Sequence, residues 1–428
     1  MLVRGKMGMA DTMQSKSRTR WLLLRATRQI WFRAAVISAA SVLLAGLAGP
    51  LARMLPYEFT GDVGQDAVGT VLQIIASSML AVTTFSLTAM VSAYSSATQT
   101  ATPRATQLLV SDRTSQNALS TFLGAFIFAV VGIIGLQTRL YGGQGRVLLL
   151  IGTVLVIVLV VVTLLRWIGH LTLFGRMADV IDRVEDAACS AMKAYARDPH
   201  GGARPAIAVP DDARAVLPGE TGYVTHVDID ALGELAARHG LAVHVQALPG
   251  TLMHDRRPLM RVTGAFDDEV EAKLAKAFTI ERHRSFDHDP RLGLIALSEI
   301  ASRALAPATN DPGTAIEVLN ALLRTLSELP PDAPRPDAAL PPVYVPRPSP
   351  EEFMRDGFAA IVREGAGEEE VAIRAFKILA IIGASHPAVA DTARELGDEL
   401  RRNVERRNSD PALIDRILAV HDAERGRS

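Results

Sequence analysis

The sequence predicts a membrane protein: four transmembrane α-helices, then a cytosolic α+β module, then a C-terminal helical bundle. Three observations carry that expectation. Nearly all the unbroken apolar runs of the 428 residues precede about residue 175, although the chain as a whole is 49% apolar with a mean hydropathy of only +0.19. The remainder mixes two-residue alternation with helical spacing in an ordinary soluble composition. Basic residues, finally, cluster on one side of the apolar runs, as they do on the cytoplasmic side of a bilayer.

Residues 1–33 form a basic arm, with Arg4, Lys6, Lys16, Arg18, Arg20, Arg25, Arg28 and Arg33 against Asp11 alone. The apolar run behind it is too long for the core of a secretory signal, so a first span is expected at 30–51. Further spans are expected at 67–93, 118–137 and 147–166, which places the membrane domain at 34–176. The 94–117 loop carries Arg104 and Arg113, and Arg166, His170, Arg176 and Arg183 follow the last span. The loop after the first span instead holds Glu58, Asp62 and Asp66 beside Arg53. Both termini are therefore expected in the cytoplasm of a bacterial cell, at the inner membrane. The polar 94–117 loop reads as a vestibule, a docking surface or a solvated hairpin, interrupted at Pro103.

Residues 177–219 read as an amphipathic helix and a Gly/Pro/Ala-rich linker, and 220–328 as the α+β module. Within the module, Gly222–Ile229, Leu241–Ala247 and Pro258–Val262 alternate like strands, and Thr279–His283 is a fourth short candidate. Asp230 is placed to cap a helix ending before Gly240. Asp289-Pro290 and Asp311-Pro312 each start a helix, since Asp caps well and Pro fits the first helical position. Nine prolines make 329–350 an extended linker around Val343-Tyr344-Val345, and three or four amphipathic helices fill 351–428.

Four features stand out along the chain: Thr83-Thr84-Phe85-Ser86-Leu87-Thr88, Pro103-Arg104, Gly222-Tyr223-Val224 with Asp228, and the stretch Ala301–Ala315. In these the chain resembles the DUF2254 family of uncharacterised bacterial membrane proteins. Within that last stretch the family-like turn comprises Arg303, Pro307, Asn310, Asp311, Pro312 and Thr314. Ala306 and Ala308 depart from the Ser and Gly of that pattern, which removes a hydroxyl from the turn. The resemblance implies four spans and a cytosolic C-terminal region, and no established activity. Gly222-Tyr223-Val224, Pro249-Gly250-Thr251-Leu252 and Pro258-Leu259 are also similar to half of a lipoyl/biotinyl-type hybrid barrel, which implies a fold only. The absence of lysine between Lys193 and Lys273 argues against a swinging arm.

The strongest candidate site is a polar stripe on the second span: Thr70, Gln73, Ser77, Thr84, Thr88, Ser92, Ser95 and Gln99, in helical steps. Such a stripe serves either as the wall of a water-filled path or as a close helix-packing face. It holds no charge, so it supports neither a proton relay nor a carboxylate filter. His283, Asp287, His288 and Asp289 match no metal signature and sit among Arg282, Arg284 and Arg291; they read as a solvated loop with a helix cap. Asn310-Asp311-Pro312-Gly313-Thr314 reads either as an anion-binding or headgroup-binding turn or as a plain capped turn. No nucleophile pair or phosphate loop stands out, so no enzyme activity and no cofactor are expected. The expected function is that of an oligomeric channel-like or transport-related protein, with the polar second span facing the shared interior. The alternative is a membrane-anchored scaffold or sensor whose cytosolic domain binds a partner. The expected partners are the lipid bilayer, further copies of the chain and, for the alternative, a cytosolic protein; no nucleic acid is expected.

Overall fold

The computed structural model describes residues 30–52, 65–110, 112–138, 141, 143–172, 174–329 and 340–425. The basic arm lies outside the described residues except for its last four positions, which begin the first helix. The described chain divides into two compact units, 30–99 with 106–179, and 100–105 with 180–425.

The first unit is helical. Helix α1 spans Ile30–Ala52, α2 Gln65–Thr100, α3 Pro103–Val110, α4 Arg113–Gln137 and α5 Gly143–Leu171. Three stretches are long and apolar enough to cross a bilayer among the described residues: Asp66–Thr98, Arg113–Gln137 and Gln144–Leu171. The first expected span forms α1, whose described apolar stretch, Ala34–Leu44, is shorter. As Pro103 requires, α2 stops before it and α3 begins at it. Helix α4 packs against both α1 and α5. Gly124 lets α1 approach, because a Cβ there would meet the Ile37 side chain at 2.5 Å. A Cβ on Gly132 would meet Leu72 of α2 at 3.0 Å. Val68, Leu72, Ile75 and Met79 of α2 share one buried cluster with Phe122 and Phe128 of α4 and with Leu149 and Trp167 of α5. Trp167 Nε1 donates to Ser86 Oγ at 2.9 Å, joining α5 to α2 inside that core.

The 94–117 stretch is packed, contrary to the solvated-hairpin expectation: Thr106, Asp112, Ser115 and Gln116 are buried. Asp112 caps α4 by accepting from Ser115 N and Oγ at 2.7 and 2.5 Å. His170 of α5 approaches the same carboxylate at 3.4 Å while stacking on Trp167. A carboxylate that caps one helix and meets a histidine of another is worth burying, which explains why this polar loop packs.

Among the described residues the second unit holds α6 (Met177–Arg197, from Val180 onward), eight short strands and eight further α-helices. Strands β1 (Arg204–Pro205), β2 (Arg214–Val216), β4 (Ala242–Val245), β6 (Met260–Thr263) and β8 (Val343–Val345) form a sheet in the order β1-β8-β4-β6-β2. The β1/β8 and β4/β8 pairs are parallel, and the others antiparallel. Strands β5 (Leu252–Met253), β3 (Gly222–Val227) and β7 (Phe278–Glu281) form a separate antiparallel sheet, with β3 central. No closed barrel forms among the described residues, so the likeness to a hybrid barrel does not extend to the architecture. The physical reason is β8: arriving from the proline-rich segment, it lies between β1 and β4 in place of a hairpin partner. Segments expected as linkers thus supply β1, β2 and β8.

Helix α7 (Ile229–His239) is capped by Asp228, which accepts from Ala231 N at 3.0 Å, and not by Asp230. Asp228 has the non-helical backbone that a cap needs, whereas Asp230 is already inside the helix. Gly240 ends α7 at φ 66°, a left-handed conformation that favours glycine. Helix α8 (Asp268–Ala275) is capped by Asp267. The helical part comprises α9 (Pro290–Ala304), α10 (Pro312–Leu326), α11 (Pro350–Glu364), α12 (Glu369–Ser385), α13 (Ala390–Arg407) and α14 (Pro411–Arg425). Asp289, Asp311 and Ser349 cap the first three, each followed by proline, and Ser349 with Glu352 completes a capping box. Arg291 binds Asp356 through two nitrogens, at 2.6 and 3.1 Å, and Glu352 at 2.8 Å, clamping α9 to α11. Helix α6 lies along α9 and α10, with Ala188 directly against Gly293 and Glu185 paired with Arg324.

Gly124→Leu is expected to lower the melting temperature of the chain in detergent, because overpacking typically costs about 1–3 kcal/mol. Gly69→Ala, which meets nothing within 4 Å, is expected to leave it unchanged or raise it slightly. Equal melting of both variants would contradict the α1–α4 contact.

Candidate functional site

Every described side chain of the polar stripe points out of the bundle. Thr70, Gln73, Ser77, Thr84, Thr88, Ser92 and Ser95 are all exposed on α2, while the Gln99 side chain lies outside the described residues. The buried face is the opposite one, Val68, Leu72, Ile75, Met79, Ser86 and Ala97. Packing within the chain therefore uses the apolar ridge, which has more surface to remove from water or lipid than the small polar residues do. Several stripe hydroxyls are satisfied locally: Thr70 donates to Asp66 O, Ser77 to Gln73 O, Thr84 to Ala81 O and Thr88 to Thr84 O, at 2.8–3.0 Å. Interspersed with the stripe are Ile74, Leu80, Phe85, Leu87 and Val91, also exposed.

The family-like turn lies between α9 and α10. Asn310 adopts φ 46°, the only positive φ at a non-glycine among the described residues. Its N–H donates to Ala306 O, and the Asp311 N–H donates to Ala304 O. Asp311 caps α10 by accepting from Thr314 Oγ1 at 2.6 Å and Thr314 N at 3.1 Å, and these bonds hold its carboxyl below the usual range. With those amides engaged by the chain itself, the geometry favours a capped turn over an anion site. Pro307 shapes the turn and Pro312 is the first residue of α10. Arg303, at the end of α9, donates to the carbonyl of Ala101, and Arg104 pairs with Glu299 one turn earlier on the same helix. Arg104 and Arg303, one from each of two family-like segments, thus each bind a residue two positions before the other's segment.

A pocket that no sequence motif announced occupies the second unit. Its volume is about 370 Å³. It forms where α6 ends, where β3 passes into α7, at the ends of β4 and β8, and at the turn before α9. The register of β3 on β7 slips between Val224 and His226, a bulge that re-aims His226. His226 then lies against His288, with ring centroids 4.9 Å apart and planes at 44°. His200 holds its Nδ1 2.8 Å from the carbonyl of Val345. Asp198 and Asp287 complete the polar lining. The 283–289 stretch therefore splits in two. Asp289 turns inward to cap α9 and pairs with Arg284 at 2.7 Å, whereas Asp287 and His288 line the pocket. Among the described residues no three His, Cys, Asp or Glu side chains are grouped to hold a metal ion.

Burial lowers the pKa of His226, and the neighbouring His288 lowers it further. Burial does the same for His244, stacked on Tyr344 at 4.9 Å, and for His386. Because these folded values lie below the ordinary 6.5, the unfolded chain takes up protons first as the pH falls. Stability is therefore complete above that value and is lost progressively below it. Thermal melts are expected to show the second unit weakening as the pH falls below about 6.5, with a flatter slope in His244→Phe, which keeps the stack and removes a titrating group. A melting temperature that rises on acidification would contradict this. Asp311→Ala should cost about 1 kcal/mol in the same melts through loss of the cap, and Asp311→Ser much less.

A family model described as "Predicted membrane protein (DUF2254)" matches residues 27–381. The uncharacterized proteins Rv1290c of Mycobacterium tuberculosis strain H37Rv and Mb1321c of Mycobacterium bovis are each 32% identical to this chain over 190 residues. The uncharacterized protein MT1328 of Mycobacterium tuberculosis strain CDC 1551 is 31% identical over the same length. Each match takes 40% of this chain and 35% of the relative, so the chain spans about a third of the length of these curated relatives. No solved structure matches it. With the family model covering most of the sequence and the apolar helices in place, the chain belongs to the DUF2254 family of predicted membrane proteins.

Proposed function

We propose that this chain is a four-span protein of the bacterial inner membrane, with both termini cytoplasmic, that assembles as a homo-oligomer. In the assembly the second spans of several copies face one another and form a channel-like or transport-related path. The observation that supports this is the outward stripe of α2, with Thr70, Gln73, Ser77, Thr84, Thr88, Ser92 and Ser95 exposed on a helix whose apolar ridge is already used inside the bundle. In hydrocarbon a repeated polar face finds its best cover against another helix or against water. Hydroxyls bonded back to their own carbonyls make a smooth, uncharged wall that suits helix contact or the passage of small polar solutes. It offers no charge selection.

A second reading, the membrane-anchored sensor or scaffold, draws support from the pocket in the second unit. The two readings diverge in experiment. Under the first, cysteines at Thr84 or Thr88 should cross-link between copies in native membranes, while a cysteine at Leu165, exposed on α5, should not. Thr84→Leu with Thr88→Leu should then reduce solute flux in proteoliposomes by about tenfold or more, since two pore-wall hydroxyls are replaced by apolar bulk. A chain that remains monomeric in membranes and conducts nothing would remove the channel reading.

A further inference from the structure

We propose that the pocket between the end of α6, the β3–α7 junction and the turn before α9 binds a small ligand with an apolar body and a protonated amine. The inference is independent of the oligomer reading, since every lining residue belongs to the second unit.

Size and wall come first. A cavity of about 370 Å³ accommodates a compact organic molecule, and Ala191, Val227, Ile229, Val245, Leu248 and Val345 give it apolar sides. Charge then selects the head group. The lining includes two carboxylates, Asp198 and Asp287, three imidazoles, and no lysine or arginine. Helix α6 terminates at the pocket; its carbonyl end carries a partial negative charge, which Arg197 in the last turn offsets by donating to the Lys193 carbonyl, so the carboxylates set the sign. Two helix N-termini also reach the pocket, at Ile229 of α7 and Pro290 of α9. Each already has its own carboxylate cap, Asp228 on α7 and Asp289 on α9, the second shared with Arg284. The sum of these fields attracts a cation and repels an anion.

The histidines refine the picture. Burial keeps His226 uncharged at neutral pH, so the imidazole opposes no incoming cation. His200 is oriented by the Val345 carbonyl and Asp198 by the backbone N–H of His200, so the rim is arranged before any ligand arrives. A transition metal would also answer to imidazoles and carboxylates, but no three of these groups converge among the described residues. An organic amine needs no such convergence. It needs an apolar wall with acceptors at one end, which is what the elements assemble.

The test uses the full chain in detergent and three probes that share one apolar body: tryptamine, indole and indole-3-acetate. Calorimetric titration at neutral pH should show tryptamine binding about tenfold or more tighter than indole-3-acetate, with indole between them. Asp198→Asn with Asp287→Asn, which keeps an acceptor at each position, should erase most of the preference for the amine. Ala194→Trp, on the exposed side of α6, should fill the pocket and abolish binding, and it also separates pocket binding from uptake by the micelle. The proposal is overturned if the acid binds as well as the amine, if none of the three binds, or if the asparagine pair leaves the order unchanged. Stoichiometric zinc binding that His226→Ala removes, with no amine binding, would assign the pocket to a metal instead and likewise overturn it.

Discussion

A helix with two unlike faces has to choose which of them to hide, and that choice in α2 organises the membrane unit. Val68, Leu72, Ile75 and Met79 form a ridge that fits against Phe122, Phe128, Leu149 and Trp167. Burying branched and aromatic side chains gains far more contact than burying serine and threonine, so the ridge goes inward and the hydroxyl face is left outside. The indole N–H of Trp167 would be costly among those apolar side chains without an acceptor, and Ser86, the one stripe-like hydroxyl on the inner face, supplies it. The glycines of α4 complete the arrangement by letting α1 and α2 close on it.

The second unit is held by a different device. Helices α9, α10 and α11 each begin with a capping side chain followed by proline, so their starts are set locally, before any tertiary contact. Tertiary contact then reuses the same positions. Asp289 both caps α9 and neutralises Arg284, and Glu352 both completes the capping box of α11 and receives Arg291 of α9. Helix termini that double as ion-pair partners lock helix packing to helix register. The close meeting of Ala188 with Gly293 does the same for α6, since any larger side chain would push the two helices apart.

The pocket is a by-product of this economy at the place where four kinds of element stop together. A helix ends, a bulged strand turns into a helix, two strands finish and a capped helix begins. Side chains that are unremarkable on their own elements come together only because those ends coincide: His226 meets His288, and His200 lines the same pocket. The acidic lining follows from the same layout, since the basic Arg284 is drawn away to Asp289.

The sequence by itself determined the membrane family, the positions of most helices, the caps at Asp289 and Asp311, the break at Pro103 and the extended backbone of the proline-rich segment around Val343-Tyr344-Val345, though not its place in a sheet. All of these depend on local steric and hydrogen-bonding rules or on runs of one polarity, which a reading along the chain can see. Asp228 and Asp230, two positions apart, both suit the one cap by residue type, and only the backbone angles select Asp228. Tertiary structure alone decided which face of α2 turns inward, that β8 would enter the sheet between β1 and β4, and that three histidines spread over 89 positions, from His200 to His288, would share one pocket. Those outcomes depend on how much surface two distant segments can bury against each other. That quantity belongs to pairs of surfaces, and no single stretch of sequence contains it.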